Sequence, residues 1–247
     1  MIVIPGYEIL ETLYESEITV VYRARNHQEQ HNFIIKILKP QYPTLAQLAR
    51  FKHEYKIAKN LNLDGIIKAY RLENYQNSLA LFLEDFGGET LARYMQNRKI
   101  EIRQFLKIAI QLAEILGQLH QENIIHKDIK PQNILIHPQT GQIKITDFSI
   151  ASLLSKENPT ISNSNLLEGT LTYISPEQTG RMNRSIDYRT DFYSLGITLY
   201  EMLVGQLPFN ATDVMELVHC HIAKQPVPPC DATRQEAGIE EIPTVIS

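Results

Sequence analysis

Two polar segments near the middle of the chain carry residue types suited to chemistry on a charged substrate. Residues 126–133 read His-Lys-Asp-Ile-Lys-Pro-Gln-Asn, and Asp147-Phe148-Ser149 follows at short range. A reaction at a phosphate asks a protein mainly to position the reacting groups and to cancel negative charge. Mg²⁺, a common partner of phosphates, prefers hard oxygen ligands such as carboxylates and amides. The two segments together supply carboxylate, amide and amino groups, which can position a reacting group, offset negative charge or bind such a cation.

The first segment resembles the protein-kinase catalytic loop H-R-D-L-x-x-x-N, and the second resembles D-F-G. A lone Asp-Phe-Gly-like tripeptide would be read as a polar loop, but the eight-residue string before it argues against coincidence. The resemblance implies that Asp128 lies by the attacking hydroxyl and that Lys130 offsets charge at the γ-phosphate of ATP. Asn133 and Asp147 match the two Mg²⁺ ligands of the family. Asp128, Lys130 and Asn133 are therefore the expected catalytic residues, and lysine at position 130 is typical of Ser/Thr-specific members.

A lysine inside an apolar strand supports the same resemblance. Lys36 ends the string Phe-Ile-Ile-Lys at residues 33–36, where an unpaired lysine would be costly, and it matches the strand lysine of V-A-I-K. Glu54 matches the glutamate that pairs with this lysine. Taken alone, Glu54 would be read as a solvated helix carboxylate. Its position on the helix after Lys36 favours the pair, which is expected to hold Lys36 against the α- and β-phosphates of ATP.

The resemblance also implies a site for the adenine of ATP. Leu13, Val21 and Ile34 are expected to line its roof. Leu135 is expected to form its floor, and the residues from Glu84 to Phe86 are expected to be the hinge that offers backbone groups to the base. All of these are equally plausible as ordinary core residues.

Further matches extend the resemblance over residues 7–229. Thr170, after Gly169, and Glu177, in Ser-Pro-Glu, resemble the substrate-docking end of the activation segment. Asp191 matches the aspartate that braces the catalytic loop. A protein substrate is therefore the expected partner.

One stretch suggests a narrower group within the family. Residues 176–184, Pro-Glu-Gln-Thr-Gly-Arg-Met-Asn-Arg, look like the kinase domain that heads large cyanobacterial and other bacterial multidomain sensor kinases. In those proteins an ATPase-like region, sensory domains and a histidine kinase follow, so downstream domains of this kind are expected partners. Arg181 and Arg184 either contact a substrate or partner domain or form a solvated basic loop.

The glycine-rich loop of the family is missing. Its pattern G-x-G-x-x-G-x-V aligns with residues 14–21, which read Tyr-Glu-Ser-Glu-Ile-Thr-Val-Val. Glycine lets a backbone approach phosphates closely. The side chains that replace it, with the negative charges of Glu15 and Glu17, predict weak nucleotide binding, although the same bacterial group tends to carry a glycine-poor loop.

Other departures from the pattern are smaller. Ile34 replaces a small alanine and crowds the adenine roof, and Ser149 replaces a glycine and stiffens its loop. Lys127 replaces an arginine and lacks its bidentate fork, which predicts weak or absent control by phosphorylation. The chain also ends early, so Glu177 is expected to lack the arginine partner that the family supplies near its carboxyl terminus.

The predicted elements distribute these residues over two lobes. The first part reads as hairpins at residues 7–24 and 69–84, a strand at 32–38 and an amphipathic helix from Leu45. After Gly87-Gly88 the pattern is mainly helical, with an apolar stripe over 102–119 and a buried helix at 192–203. We expect an α+β, two-lobed protein-kinase fold filling residues 1–247. Its small, mainly β N-lobe with one key helix covers about 1–86, its larger, mainly α C-lobe covers about 87–229, and residues 230–247 form an irregular or truncated tail.

Composition adds exclusions. The 247 residues are 43% hydrophobic and 21% charged, with a net charge of −4, so neither a nucleic-acid surface nor a membrane surface is expected. Two cysteines form no disulfide framework, and neither a signal peptide nor a membrane-spanning stretch is evident, which predicts a cytoplasmic protein.

His219, Cys220 and His221 are not expected to bind a metal, because helical residues two apart do not share a face.

Two functions from different classes remain open at this stage. The first is an active Ser/Thr kinase, favoured because every side chain with a direct chemical role is present. The second is a pseudokinase, a nucleotide-binding scaffold or regulatory module with little or no turnover, which the missing glycines and the short carboxyl end favour.

Overall fold

In a computed structural model of the protein, the structure describes residues 4–28, 31–39, 42–98, 100–154 and 171–235. The backbone divides into two units. The first comprises Met1–Gly88 and Lys144–Ile150, and the second comprises Glu89–Ile143 and Ala151–Ser247. Thr170, expected in the activation segment, lies outside the described residues, as do Gly169 and the tail from residue 236 onward.

The first unit is built on an antiparallel sheet of five strands in the order β1-β2-β3-β5-β4. Side chains alternate across β3, so that Phe33, Ile35 and Ile37 enter an apolar core while Ile34 and Lys36 point to the opposite face. The predicted hairpins and the predicted third strand are confirmed. The strands are β1 (Tyr7–Glu15), β2 (Thr19–Asn26), β3 (Asn32–Leu38), β4 (Ala69–Tyr75) and β5 (Ser78–Glu84).

One helix, α1 (Leu45–Asn60), packs against β4 and β5. Its start is fixed by a capping box, in which the Thr44 hydroxyl accepts from the Gln47 N–H and the Gln47 side chain accepts from the Thr44 N–H. The helix is predicted correctly from Leu45, but Leu45 itself is 86% exposed. Burial begins one and a half turns later, and the inward face consists of Phe51, Glu54, Ile57 and Ala58.

Residues 144–150 join the first unit through backbone hydrogen bonds. The Ile145 N–H donates to the Gly65 carbonyl at 2.8 Å, and the Ile145 carbonyl accepts from the Ile67 N–H at 3.0 Å. These bonds fix the end of β9 (Ile143–Ile145) beside the residues that follow α1. They thereby carry Asp147 into the unit that holds Lys36 and Glu54.

The second unit is mainly helical. Its longest helix, α3 (Ile102–Gln121), buries a stripe spaced by three and four residues. The apolar stripe predicted over residues 102–119 lies on this helix. Leu106, which the predicted stripe included, is 41% exposed, whereas Ile108 and Ile115 are buried. The buried residues of α3 are Phe105, Ile108, Leu112, Ile115, Leu116 and Leu119.

A second long helix, α4 (Arg189–Val204), begins three residues before the predicted start at Phe192. Phe192 is 45% exposed, whereas Asp191 in the same turn is fully buried. The earlier start therefore aims a carboxylate into the unit. Gly205 ends the helix in a left-handed conformation, with φ at 80°, which favours glycine.

The remaining elements are short. Asp213 caps α5 (Val214–Ala223) by accepting from the N–H groups of Met215 and Glu216. One short helix, α6 (Pro229–Gln235), follows the proline-rich stretch and occupies the first residues of the segment predicted to be an irregular tail. Among the described helices, none combines the length and apolarity needed to cross a bilayer. The others are β6 (Glu89–Thr90), α2 (Leu91–Asn97), β7 (Ile124–Ile125), β8 (Ile134–Ile136) and β10 (Ser152–Leu153).

Replacing Leu112 by alanine tests the core assigned to α3. Leu112 is fully buried, so the substitution should reduce the free energy of unfolding by about 2–5 kcal/mol through lost burial and a cavity. Ile110 lies on the same helix and is 58% exposed, so Ile110→Ala should change it by less than about 0.5 kcal/mol. Urea unfolding of both variants measures the difference, and equal losses would contradict the assigned face.

Lowering the pH tests the burial of His221 on α5. The side chain packs against the rings of Tyr193 and Phe209, and burial lowers the pKa of its imidazole. The unfolded chain takes up a proton near the ordinary histidine pKa of about 6.5, whereas the folded chain resists it, so acidification should destabilise the folded state. Between about pH 7.5 and pH 5.5, wild type should lose more unfolding free energy than His221→Gln does. His219→Gln, at an exposed position two residues away, should behave as wild type.

Candidate functional site

A buried cluster of charges lies in the first unit. Lys36 Nζ contacts Glu54 Oε1 at 3.0 Å and Oε2 at 2.8 Å, and Asp147 Oδ2 lies 3.4 Å from the same nitrogen. The side chains of Lys36 and Glu54 are only 14% and 3% exposed. β3 aims Lys36 away from the sheet core, and α1 presents Glu54 on its buried face. The structure therefore brings together three residues that the sequence nominates from three separate elements.

The protonation of this cluster is set by burial and by mutual contact. Burial acts to lower the pKa of Lys36, but the carboxylates of Asp147 and Glu54 outweigh it and raise that pKa above its usual range. Lys36 is consequently a cation throughout the physiological range. Burial raises the pKa of Glu54, Lys36 opposes that rise, and Asp147 adds to it.

Asp147 occupies an unusual backbone conformation. Its φ is 67°, in the left-handed region that non-glycine residues adopt rarely. The Asp147 carboxylate accepts from the Ser149 N–H at 3.3 Å, a local bond that helps hold the turn. Phe148, between them, is buried. A polar group held in a strained turn above a buried aromatic anchor is typical of a functional position.

The predicted hinge carries an ion pair that the sequence did not reveal. Glu84 accepts from Lys144 Nζ at 2.7 and 2.8 Å, and it also accepts from the Lys68 N–H at 3.2 Å. Lys144 is buried, and its ammonium lies 5.2 Å from the centre of the Phe86 ring. The signal was available, because Lys144 sits between two isoleucines in β9 as Lys36 sits among apolar residues in β3.

The residues predicted for an adenine site lie at half-exposed or exposed positions. Val21 lies directly across from Lys36 in the β2–β3 register, and Ile34 precedes Lys36 by two residues on the same face. Both are half-buried, and Leu13 on β1 is 38% exposed. In the second unit, Leu135 is half-buried between two fully buried isoleucines of β8. These apolar side chains are thus not part of the buried cores.

In the second unit, the polar side chains of the segment that resembles the catalytic loop form one hydrogen-bonded group. Lys130 Nζ lies 2.9 Å from Asp128 Oδ1 and 2.8 Å from Oδ2. Asn133 Nδ2 donates to Asp128 Oδ2 and to the Asp128 backbone carbonyl, both at 2.8 Å. A single turn at Pro131–Asn133 brings Asn133 back onto the loop. The structure therefore places the three predicted catalytic residues together, with a cation and an amide fixing one carboxylate.

Asp191 holds the backbone beneath that group. It is fully buried, and it accepts from the His126 N–H at 2.9 Å and from the Lys127 N–H at 2.7 Å. A third contact comes from His120 Nε2 at 2.8 Å. His120 lies in the last turn of α3, and its contact with Asp191 could not be read from the local sequence pattern. Asp191 thus braces the catalytic loop at two successive N–H groups.

Glu177, in the segment that resembles the substrate-docking region, is bound by an uncharged hydroxyl group. Glu177 Oε1 accepts from the Thr190 hydroxyl at 2.7 Å. Within residues 171–235 and the other described ranges, no arginine forms an ion pair with Glu177. In the described part of the chain, the Glu177 carboxylate is thus bound by a hydroxyl group.

The glycine-poor loop is closed by its own serine. The Ser16 hydroxyl accepts from the Thr19 N–H at 3.0 Å and from the Ile18 N–H at 3.3 Å. The Ser16 N–H in turn donates to the Thr19 carbonyl at 2.8 Å. Glu15 beside it pairs with Lys39 at 2.7 Å. At the hairpin tip between β1 and β2, the two bonds accepted by the Ser16 hydroxyl are ones that a glycine could not make.

Histidine, cysteine and acidic side chains are the usual protein ligands of transition metals. No group of three or more of these residues is arranged there to hold a metal ion. Cys220 and His221 are buried, whereas His219 is exposed.

The amino-acid sequence is similar to a known protein family and to several bacterial proteins. Residues 7–240 match the family model described as the protein kinase domain. A probable serine/threonine-protein kinase of Clostridium perfringens is 34% identical over 225 residues, which cover 90% of this chain and 32% of that protein. The serine/threonine-protein kinase PrkC of Bacillus subtilis is 33% identical over 87% of this chain and 33% of its own length. PknB of Mycobacterium tuberculosis, also named a serine/threonine-protein kinase, is 28% identical over 97% of this chain and 38% of its own. The chain thus spans about a third of the length of these relatives.

Proposed function

The chain belongs to the protein kinase domain family, and on that premise we propose that it transfers the γ-phosphate of ATP to serine and threonine hydroxyls of a protein substrate. The observation that carries the proposal is the Asp128 carboxylate, held by Lys130 and Asn133 at 2.8–2.9 Å on a backbone braced by Asp191. A fixed carboxylate can orient an attacking hydroxyl and accept its proton. The nearby Lys130 ammonium can offset charge that develops on the transferred group.

The remaining polar residues are proposed to hold the nucleotide. Lys36, kept in place by Glu54, contacts the α- and β-phosphates. Mg²⁺, when bound, neutralises charge on the phosphate oxygens. Asp147 supplies one carboxylate ligand. Asn133 already donates through Nδ2, so its other amide atom, the acceptor Oδ1, is the one suited to a cation.

The apolar residues are proposed to contact adenine. Val21 and Ile34 share the sheet face that carries Lys36, which supports a roof on that face, together with Leu13. Leu135 supplies the floor. The backbone from Glu84 to Phe86 bonds the base, while the Glu84 side chain stays paired with Lys144.

The proposal also covers the segment that binds the protein substrate, the partner domains and the cellular location. Glu177, with Thr170 outside the described residues, belongs to the segment that receives the protein substrate. Downstream sensor and ATPase domains and a cytoplasmic location remain proposals from sequence. A nucleotide-binding module without turnover is not favoured, because the direct chemical groups are all present and the relatives are named kinases.

Replacing Asp128 by alanine is the central test. Loss of the carboxylate should reduce phosphate transfer by about 10²-fold or more, the range of a general base. Transfer from γ-labelled ATP to casein, with Mg²⁺ present, measures the rate. Asp64→Ala, at an exposed position in the first unit, serves as the matched control and should retain wild-type activity. Equal rates for wild type and Asp128→Ala would refute the proposed function.

Replacing Ser16 tests how the glycine-poor loop limits nucleotide binding. The Ser16 hydroxyl occupies the N–H groups of Ile18 and Thr19, which are then unavailable to phosphate oxygens. Ser16→Gly should therefore tighten Mg²⁺-ATP binding about tenfold, the factor expected from one added hydrogen bond to a charged phosphate oxygen at about 1.5 kcal/mol. Ser16→Gly both releases the N–H groups and adds backbone freedom. Ser16→Ala separates these two effects, because it releases the N–H groups without adding glycine's backbone freedom. Calorimetric titration gives the dissociation constants, and a low-micromolar value for wild type would contradict the expectation of weak binding.

A further inference from the structure

We propose that Gln178 is a positioning residue that fixes the backbone of the catalytic loop at Lys127, the residue directly before Asp128. This inference rests on the proposed function for its kinetic consequence. Gln178 lies in the turn Pro176–Thr179, which no sequence match connects with the catalytic loop. Its side-chain Nε2 nevertheless donates to the Lys127 carbonyl at 2.9 Å, across 51 residues of sequence.

Lys127 needs to be held because its backbone is unfavourable. Its φ is 68°, a left-handed value that a lysine adopts only when its surroundings impose it. The Lys127 N–H donates to Asp191 at 2.7 Å, and the Lys127 carbonyl accepts from Gln178. The residue is therefore fixed at both its N–H and its carbonyl. A strained residue held from both sides sets the direction in which the next side chain, Asp128, leaves the backbone.

Gln178 is itself held by the segment to which it belongs. Its Oε1 accepts from the Ser175 N–H and from the Ser175 hydroxyl, each at 3.1 Å. Ser175 is fully buried, and its hydroxyl also lies 3.4 Å from the Thr190 hydroxyl. The side chain of Gln178 consequently has little freedom to leave the Lys127 carbonyl.

The chemistry of the position selects glutamine. One end of the side chain must accept from Ser175 while the other end donates to Lys127. A primary amide offers both functions, whereas an ionised carboxylate offers acceptors only and an aliphatic chain offers neither. The substitution Gln178→Glu keeps the shape and the Ser175 contacts but removes the donor facing Lys127. It therefore replaces one attractive contact at the Lys127 carbonyl by a repulsive one and leaves the Ser175 contacts in place.

The hydrogen bond also links two segments with different proposed tasks. Residues 175–179 belong to the segment proposed to receive the protein substrate, and Lys127 belongs to the loop that carries Asp128. Thr190 and Asp191, neighbours on α4, contact Glu177 and Lys127 respectively. The docking segment and the catalytic loop are thus tied both directly and through α4. Gln178 supplies the direct tie.

Gln178→Glu should loosen the catalytic loop without unfolding the protein. In the full 247-residue chain, amide hydrogen exchange of the segment 126–133 should quicken about fivefold, the factor of one neutral hydrogen bond. Exchange in the segment 175–179 should stay near wild type, because the Ser175 contacts remain. The kcat for casein phosphorylation should fall about tenfold, since small displacements of a reacting group are costly, while the KM for ATP should change little. Gln178→Met, which loses both sets of contacts, should quicken exchange in both segments.

The controls separate this inference from the proposed function. Gln139→Glu makes the same change at an exposed position of the second unit and should alter neither exchange nor kcat. Unchanged exchange at 126–133 in Gln178→Glu, with the thermal midpoint preserved, would overturn the inference whatever the kinetics show. If exchange responds as expected but wild type transfers no phosphate to any Ser/Thr substrate, the proposed function fails while the positioning role of Gln178 stands.

Discussion

A buried carboxylate must be surrounded by donors, and this constraint organises the catalytic loop. Asp191 is fully buried in α4, where an unpaired charge would cost several kcal/mol. Two backbone N–H groups of the loop and one histidine ring meet that need. The second unit therefore reaches its stable state only when His126 and Lys127 are in place. Since Asp128 follows directly, the position of its carboxylate depends on packing in α4.

The first unit meets the same constraint with side chains instead of backbone groups. Lys36 is buried beside Glu54 and Asp147, and each charge is compensated only while the other elements hold their positions. Lys144 with Glu84 repeats the arrangement at the predicted hinge. Buried pairs of this kind add little net stability over apolar residues, but breaking one of them is strongly destabilising. Their value lies in fixing β3, α1 and residues 144–150 in a single arrangement.

The sequence predicted those parts of the structure that depend on neighbouring residues or on short family motifs. β3 and the two central helices follow from apolar periodicity, and the groupings of Lys36 with Glu54 and of Asp128 with Asn133 follow from family motifs. The contacts that the sequence missed join residues far apart in the chain. His120 meets Asp191 across 71 residues, Lys144 meets Glu84 across 60, and Gln178 meets Lys127 across 51. The position of Lys144 between two isoleucines does indicate a buried charge, but the partner of each residue lies too far along the chain for a local pattern to identify it. Only tertiary packing reveals these pairs.

The departures from the family pattern are accommodated by satisfied hydrogen bonds. The Ser16 hydroxyl closes the loop that lacks glycines, and the Thr190 hydroxyl donates to the Glu177 carboxylate. Random loss of a function would leave polar groups without partners more often than it would create short, complementary contacts. Neutral hydrogen bonds contribute about 1 kcal/mol each, enough to hold a geometry that several of them share. The replacements therefore support the proposed turnover, because they leave the hydrogen-bonding groups of both segments satisfied.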